Sequence, residues 1–196
     1  MKCFHDSLEV KKEEGVKYYI CTSCSSRSNR RISADASIRW WLDAERKFWH
    51  ESVGIFVFNT EGKILFFELT KFPFGLTVPA GHRDPKEESI ETARRELLEE
   101  TGLRAGFFTL LGEEDIVGDS CGRGADDHTW SAFTCIVDSP DTHLDSSEGK
   151  NAVWISLEDI PQKDLTVPVK YFIEKYRDVL KEVSLKAIGV ELNSSL

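Results

Sequence analysis

The chain has 196 residues, 40% of them hydrophobic and 11% aromatic, enough for one packed domain of ordinary size plus an appendage, and this excludes disorder throughout. A formal net charge of -9 argues against a surface that binds nucleic acid through bulk charge. No apolar run reaches membrane-spanning length and the first residues lack the apolar core of a signal peptide, so a cytoplasmic location with no membrane partner is expected.

Residues 1–31 are short of core material yet hold Cys3, His5, Cys21 and Cys24, four of the side chains best suited to zinc. The chain's five cysteines are an odd number with one Cys-x-x-Cys pair, which fits metal ligands or free thiols better than a disulfide framework. Two ligand pairs separated by a short hairpin resemble a zinc ribbon, in which one structural Zn2+ replaces the missing hydrophobic core. The pair at Cys3 and His5 departs from the usual spacing and ligand type. A polar stretch with Arg27, Arg30 and Arg31 reads as a solvated linker. Within residues 36–48, Ile38, Trp41, Leu42 and Phe48 fit a helical stripe, which predicts a linker helix over 32–49 packed on the main domain or, alternatively, on a second subunit as a homodimer seam.

The third unit, 50–196, begins with two β-rich runs at 53–58 and 64–69, joined by Asn59-Thr60-Glu61-Gly62-Lys63 as a hairpin turn. From Ile90 the apolar residues Ile90, Ala93 and Leu97 recur at three- and four-residue steps, and Gly102 follows where a helix would stop. On that helix Glu96, Glu99 and Glu100 fall within an arc of roughly 100° bordering the apolar stripe. Like charges so close cost helix stability, and a divalent cation would relieve them; an all-carboxylate donor set favours Mg2+ or Mn2+ over zinc.

The order Gly81, five residues, Glu87, seven residues, Arg95-Glu96-Leu97, one residue, Glu99-Glu100, one residue, Gly102-Leu103 resembles the Nudix hydrolase signature at every fixed position. The resemblance implies an α/β fold, an α/β/α sandwich with a central mixed sheet, and hydrolysis of a nucleoside diphosphate linked to another group. It further implies that Glu99 and Glu100 are metal ligands, Glu96 a further ligand or the residue orienting them, and Arg95 their electrostatic support. Glu87 would brace the loop and the Gly81 carbonyl would touch a metal. Water would be the nucleophile, since no covalent intermediate is required.

After the signature, 107–111 reads as a strand and 112–128 as a long glycine-rich loop. In that loop Arg123 and His128 are candidates to recognise phosphate or base, and Asp126 and Asp127 to reach the metals. A strand at 129–137 follows, then a loop in which Glu148 is the candidate general base by resemblance to several relatives, with Asp145 behind it. The periodic positions Val169, Phe172, Ile173, Tyr176 and Leu180 predict one closing amphipathic helix. Expected substrates are small nucleoside diphosphate derivatives such as ADP-ribose or dinucleotides, with capped RNA ends among the candidates. Two alternatives are a Nudix-fold isoprenoid diphosphate isomerase using Cys121 or Cys135, and a non-catalytic nucleotide-binding regulatory module; the complete set of signature acids favours hydrolysis.

Overall fold

The computed structural model describes residues 8–14, 16–31, 35–161 and 164–190. An antiparallel meander comes first, with β1 (Leu8–Glu13), β2 (Val16–Cys21) and β3 (Arg27–Ser28) in the order β1-β2-β3. Its buried side is small: Cys21 is enclosed by Leu8 and Tyr19.

Among the described residues of 32–49 the expected linker helix is absent. Residues 40–42 are instead a strand, β4 (Trp40–Leu42), that pairs antiparallel with the start of β5 (Phe48–Phe58), placing Trp41 opposite Trp49 with their rings stacked 5.9 Å apart. Two features override the helical spacing. Adjacent tryptophans favour a pleated surface where they pack across strands. Asp43 then organises the turn, its carboxylate accepting from the backbone N–H of Glu45 and Lys47 at 2.9 Å each and from Trp49 Nε1 at 3.0 Å.

β5 is the trunk of the main sheet. Along one edge it runs parallel to β10 (Asp127–Ile136) from Trp49 to Phe58; along the other it is met in turn by β4, by β8 (Ala80–His82) and by β6 (Ile64–Leu69). β7 (Leu76–Thr77) and β11 (Gly149–Ile155) add to β6, and β9 (Thr109–Ile116) closes the far side against β10. Among the described residues this is an eight-stranded mixed sheet with the spine β11-β6-β5-β10-β9.

Strand alternation divides the core. Val53, Ile55 and Val57 face α1 (Ser89–Thr101) and bury Ala93 and Leu97, while Phe56 and Phe58 face α2 (Val167–Lys175) and α3 (Arg177–Ala187). The result is the α/β/α sandwich expected from the signature. α1 follows the predicted stripe. Its first turn is secured by Glu88 N–H donating to Glu91 at 2.9 Å, and it stops at Gly102, whose φ of 70° is the left-handed conformation glycine adopts freely.

Boundaries also differ from the sequence reading. β9 extends to Ile116, through what reads as loop, because its acidic residues find partners: Glu113 accepts from Ser131 Oγ and Asp115 from Thr129 Oγ1, both on β10. The closing helix is two helices, broken at Tyr176. Its hydroxyl donates to Glu114 on β9 at 2.6 Å while its ring stacks on Phe172, so the side chain is held down at the break. No helix among the described residues is long and apolar enough to cross a membrane.

Phe172 is 1% exposed and touches Phe56 and Tyr176, so Phe172→Ala leaves a cavity under the sheet. A loss of about 3–5 kcal/mol is expected, read from urea unfolding; a loss below about 1 kcal/mol would remove this ring from the core.

Candidate active site

β8 brings Gly81 against the face of α1 that carries Glu96 and Glu100, paired with Val53 of β5. A side chain at position 81 would collide with the Glu96 carboxylate, so glycine leaves that carboxylate room to lie against the strand. Arg95 sits at the centre. Its Nε and Nη2 grip both oxygens of Glu87 at 2.9 and 3.0 Å, and Nη1 donates to Glu96 at 2.6 Å and Glu99 at 3.2 Å. Nη2 also reaches the His82 carbonyl at 3.3 Å, tying the helix to the strand that carries Gly81. The guanidinium beside it holds the Glu87 carboxyl below its ordinary range.

Glu100 is only 6% exposed and accepts a hydrogen bond from Ala80 N–H at 2.9 Å. Burial, with repulsion from Glu96 and Glu148, pushes its pKa well above the ordinary value. Burial likewise raises Glu96, partly offset by Arg95. Glu99 is the most exposed of the three.

Glu148 arrives from the loop before β11, and the fold hangs that loop from the end of α1. The N–H of His143 donates to the Thr101 carbonyl and that of Asp145 to the Glu100 carbonyl, each at 2.9 Å, and Asp145 O then accepts from Glu148 N at 3.0 Å. The Asp145 carboxylate is turned to Ser147 N at 2.8 Å. Lys71 forms an ion pair with Glu148 at 2.5 Å. The patch therefore gathers Glu96, Glu99, Glu100 and Glu148 beside Gly81. Oxygen donors in excess of nearby cations suit a hard divalent ion such as Mg2+ or Mn2+.

The other candidates lie elsewhere. Arg123 donates to Asp35 and Ser37, at 2.9 and 2.6 Å from Nη2. His128 is 3% exposed, its Nδ1 hydrogen-bonded to the Asp119 carbonyl, and it shares a cluster with His50, His82 and Cys121. Asp126 accepts from Phe48 N at 3.0 Å and Asp127 from Gly118 N at 2.6 Å. Cys135 is buried against the α1 side of the core, where burial pushes its thiol up to about 12. In the amino-terminal meander Cys21 Sγ accepts from Ser23 N–H at 3.4 Å, and Cys24 lies exposed near Ser26; Cys3 and His5 lie outside the described residues.

Sequence reasoning passed over Arg83 and Lys71. Arg83 donates to Glu51 at 2.7 Å, Glu88 at 3.1 Å and the Glu87 carbonyl at 2.6 Å, latching the loop before α1. Its signal was a cation two residues beyond Gly81, ahead of a stretch rich in carboxylates.

A family model for the NUDIX domain matches residues 48–176. A curated relative, the RNA pyrophosphohydrolase of Bartonella henselae, is 34% identical over 140 residues, covering 58% of this chain and 79% of that protein. Among solved structures, the MutT protein from Methanosarcina mazei superposes with a TM-score of 0.58 at 22% identity, over 68% of this chain and 96% of that one. A Caenorhabditis elegans Ap4A hydrolase in a binary complex gives 0.55 at 22% identity, over 68% and 98%. At these identities the two structures speak to the fold.

Burial at Glu100 has a sign that can be tested. Because its folded pKa lies above the unfolded value, the folded state binds more protons across that interval, so stability falls as pH rises from the ordinary carboxylate range through the folded pKa. In chelator, Glu100→Gln should unfold at higher temperature than wild type at pH 7.5, with the gap closing near pH 4. Mg2+ or Mn2+ at about 100 times its Kd should add about 2.7 kcal/mol to wild type and much less to the variant. A metal-free variant no more stable than wild type at pH 7.5 would contradict the charge burial.

Proposed function

Since the chain belongs to the NUDIX family, we propose that it hydrolyses a phosphoanhydride in a nucleoside diphosphate linked to a further group, with Glu96, Glu99 and Glu100 holding Mg2+ or Mn2+. The observation that carries this reading is the convergence of those three carboxylates with Glu148 beside Gly81. Such an ion, when bound, neutralises diphosphate charge and makes water more acidic.

The chain's own residues do the rest. Arg95, anchored on Glu87, holds Glu96 and Glu99 in one orientation, and Ala80 N–H fixes Glu100. Glu148 takes the proton as water attacks one phosphorus and the bond to the bridging oxygen breaks. Lys71 keeps that carboxylate in position. The 70–75 segment is bound to the Glu148 loop through Thr70 N–H and the Glu148 carbonyl at 3.3 Å, and it exposes Phe72 and, at 72%, Phe74. These rings offer faces on which a nucleobase can stack, worth about 1–3 kcal/mol per base.

The name of the curated relative supports RNA 5′ ends as the first substrates to assay, followed by dinucleoside polyphosphates, ADP-ribose and NADH. In the amino-terminal segment, a structural Zn2+ on Cys3, His5, Cys21 and Cys24 is part of the same reading. The Ser23 N–H turned onto Cys21 Sγ supports it.

With substrate and Mg2+ or Mn2+ present, Glu96→Gln and Glu100→Gln should each lower kcat at least about a hundredfold. Phe74→Ala should raise KM about tenfold with kcat nearly unchanged. Reaction in heavy-oxygen water, followed by mass spectrometry, should put the label on a nucleoside monophosphate or its sugar phosphate or polyphosphate partner. Undiminished turnover in Glu100→Gln, or isomerisation of an isoprenoid diphosphate without label, would overturn the proposal.

A further inference from the structure

On the face of β8 opposite α1, four side chains from three strands and a loop come together. Gly81 faces Glu96, so the next residue, His82, faces the other way. His50 of β5 and His128 of β10 are direct register partners, and the 117–126 loop folds across them to bring in Cys121. The three imidazole centroids lie 5.2, 5.4 and 5.6 Å apart. One donor atom from each residue, four in all, lies within 4.8 Å of the others.

We propose that His50, His82, Cys121 and His128 form a closed tetrahedral Zn2+ site inside the NUDIX domain, separate from the signature carboxylates and from the amino-terminal cysteines. Zn–N bonds of about 2.0–2.1 Å and a Zn–S bond of about 2.3 Å put tetrahedral N···N edges at about 3.4 Å and N···S edges at about 3.6 Å. His128 Nε2 and His82 Nε2 are 3.4 Å apart, and Cys121 Sγ and His50 Nδ1 are 3.7 Å apart.

The surroundings point the same way. His128 Nδ1 faces two acceptors, the Asp119 carbonyl and, at 3.2 Å, its carboxylate, so Nδ1 carries the proton and Nε2 presents a lone pair into the cluster. Asp119 is itself fixed by Trp130 Nε1 at 2.8 Å. A carboxylate behind a ligating histidine is the usual second layer of a zinc centre. One thiolate and three imidazoles suit zinc and disfavour Mg2+ and Mn2+.

Four protein ligands leave no open position, which assigns the ion a structural role. It would pin the 117–126 loop to the sheet and fix His82, whose carbonyl receives Arg95. From outside, Arg30 holds the same loop, donating from Nε to the Cys121 carbonyl at 2.9 Å and from Nη2 to the Ala125 carbonyl.

The test uses the full chain carrying Cys21→Ser and Cys24→Ser, so that the amino-terminal ligands do not contribute. Elemental analysis should find one zinc per chain, and adding Cys121→Ser should reduce it below about a tenth. Cobalt substitution should give a thiolate-to-cobalt charge-transfer band together with tetrahedral visible bands. Should Cys121→Ser fail to fold, the cobalt spectrum of the parent decides, and Asp119→Asn should weaken zinc affinity by about 10–100-fold in competition with a chromophoric chelator. No uptake of zinc or cobalt by the parent at excess metal, zinc retained in a folded Cys121→Ser chain, or a cobalt spectrum without the thiolate band would overturn the site.

Discussion

Three glutamates on one helical face repel each other, and the structure around α1 is arranged to make that repulsion tolerable. Arg95 spreads one positive charge over Glu87, Glu96 and Glu99. Ala80 N–H takes Glu100, the most buried of the set, and the missing side chain at Gly81 lets Glu96 sit against the strand. Arg83 closes the loop by joining Glu51 to Glu88. Remaining negative charge is concentrated where a hard cation would be welcome. The site thus holds unfavourable electrostatics that, on the proposed reading, a bound cation would relieve.

The short strand β8 separates two chemistries through the pleat alone. Residue 81 looks towards carboxylates and residue 82 towards imidazoles and a thiol. On the proposed reading, hard oxygen donors serve the reaction on one face, while borderline nitrogen and sulfur donors serve rigidity on the other. Neither donor set suits the other's ion, so the two sites need not compete for metal although adjacent residues of one strand lead into them. Arg95 links them mechanically, because it bonds to glutamates on one side and to the His82 carbonyl on the other.

How far the sequence discloses this depends on the range of the interactions. The signature helix was legible because its stripe, its carboxylates and its terminating glycine are all local features. Glu148 was legible only through family resemblance; its approach depends on backbone bonds from 143 and 145 to the end of α1. β4 was misread because Trp41, Leu42 and Phe48 satisfy a helical period by coincidence, whereas the deciding contacts are across strands and in the Asp43 turn. The break at Tyr176 hangs on Glu114, 62 residues away in sequence. The histidine cluster has no short motif at all. His50 and His128 meet through parallel register, a relation that periodicity within either strand cannot reveal.

The family match begins at Phe48, yet the strand that completes the start of β5 lies before it. β4 occupies the main-chain hydrogen-bonding edge of residues 48–50, opposite the edge held by β10, and the Arg39 carbonyl takes Glu51 N–H just beyond. A fragment cut at position 48 would retain every acidic residue of the site and yet leave that edge bare, with Phe48 and Trp49 beside it. Open edges of this kind are templates for another chain's strand. The stretch ahead of the family boundary therefore supplies the pairing partner of that edge, and in physical terms the sheet begins earlier than the homology does.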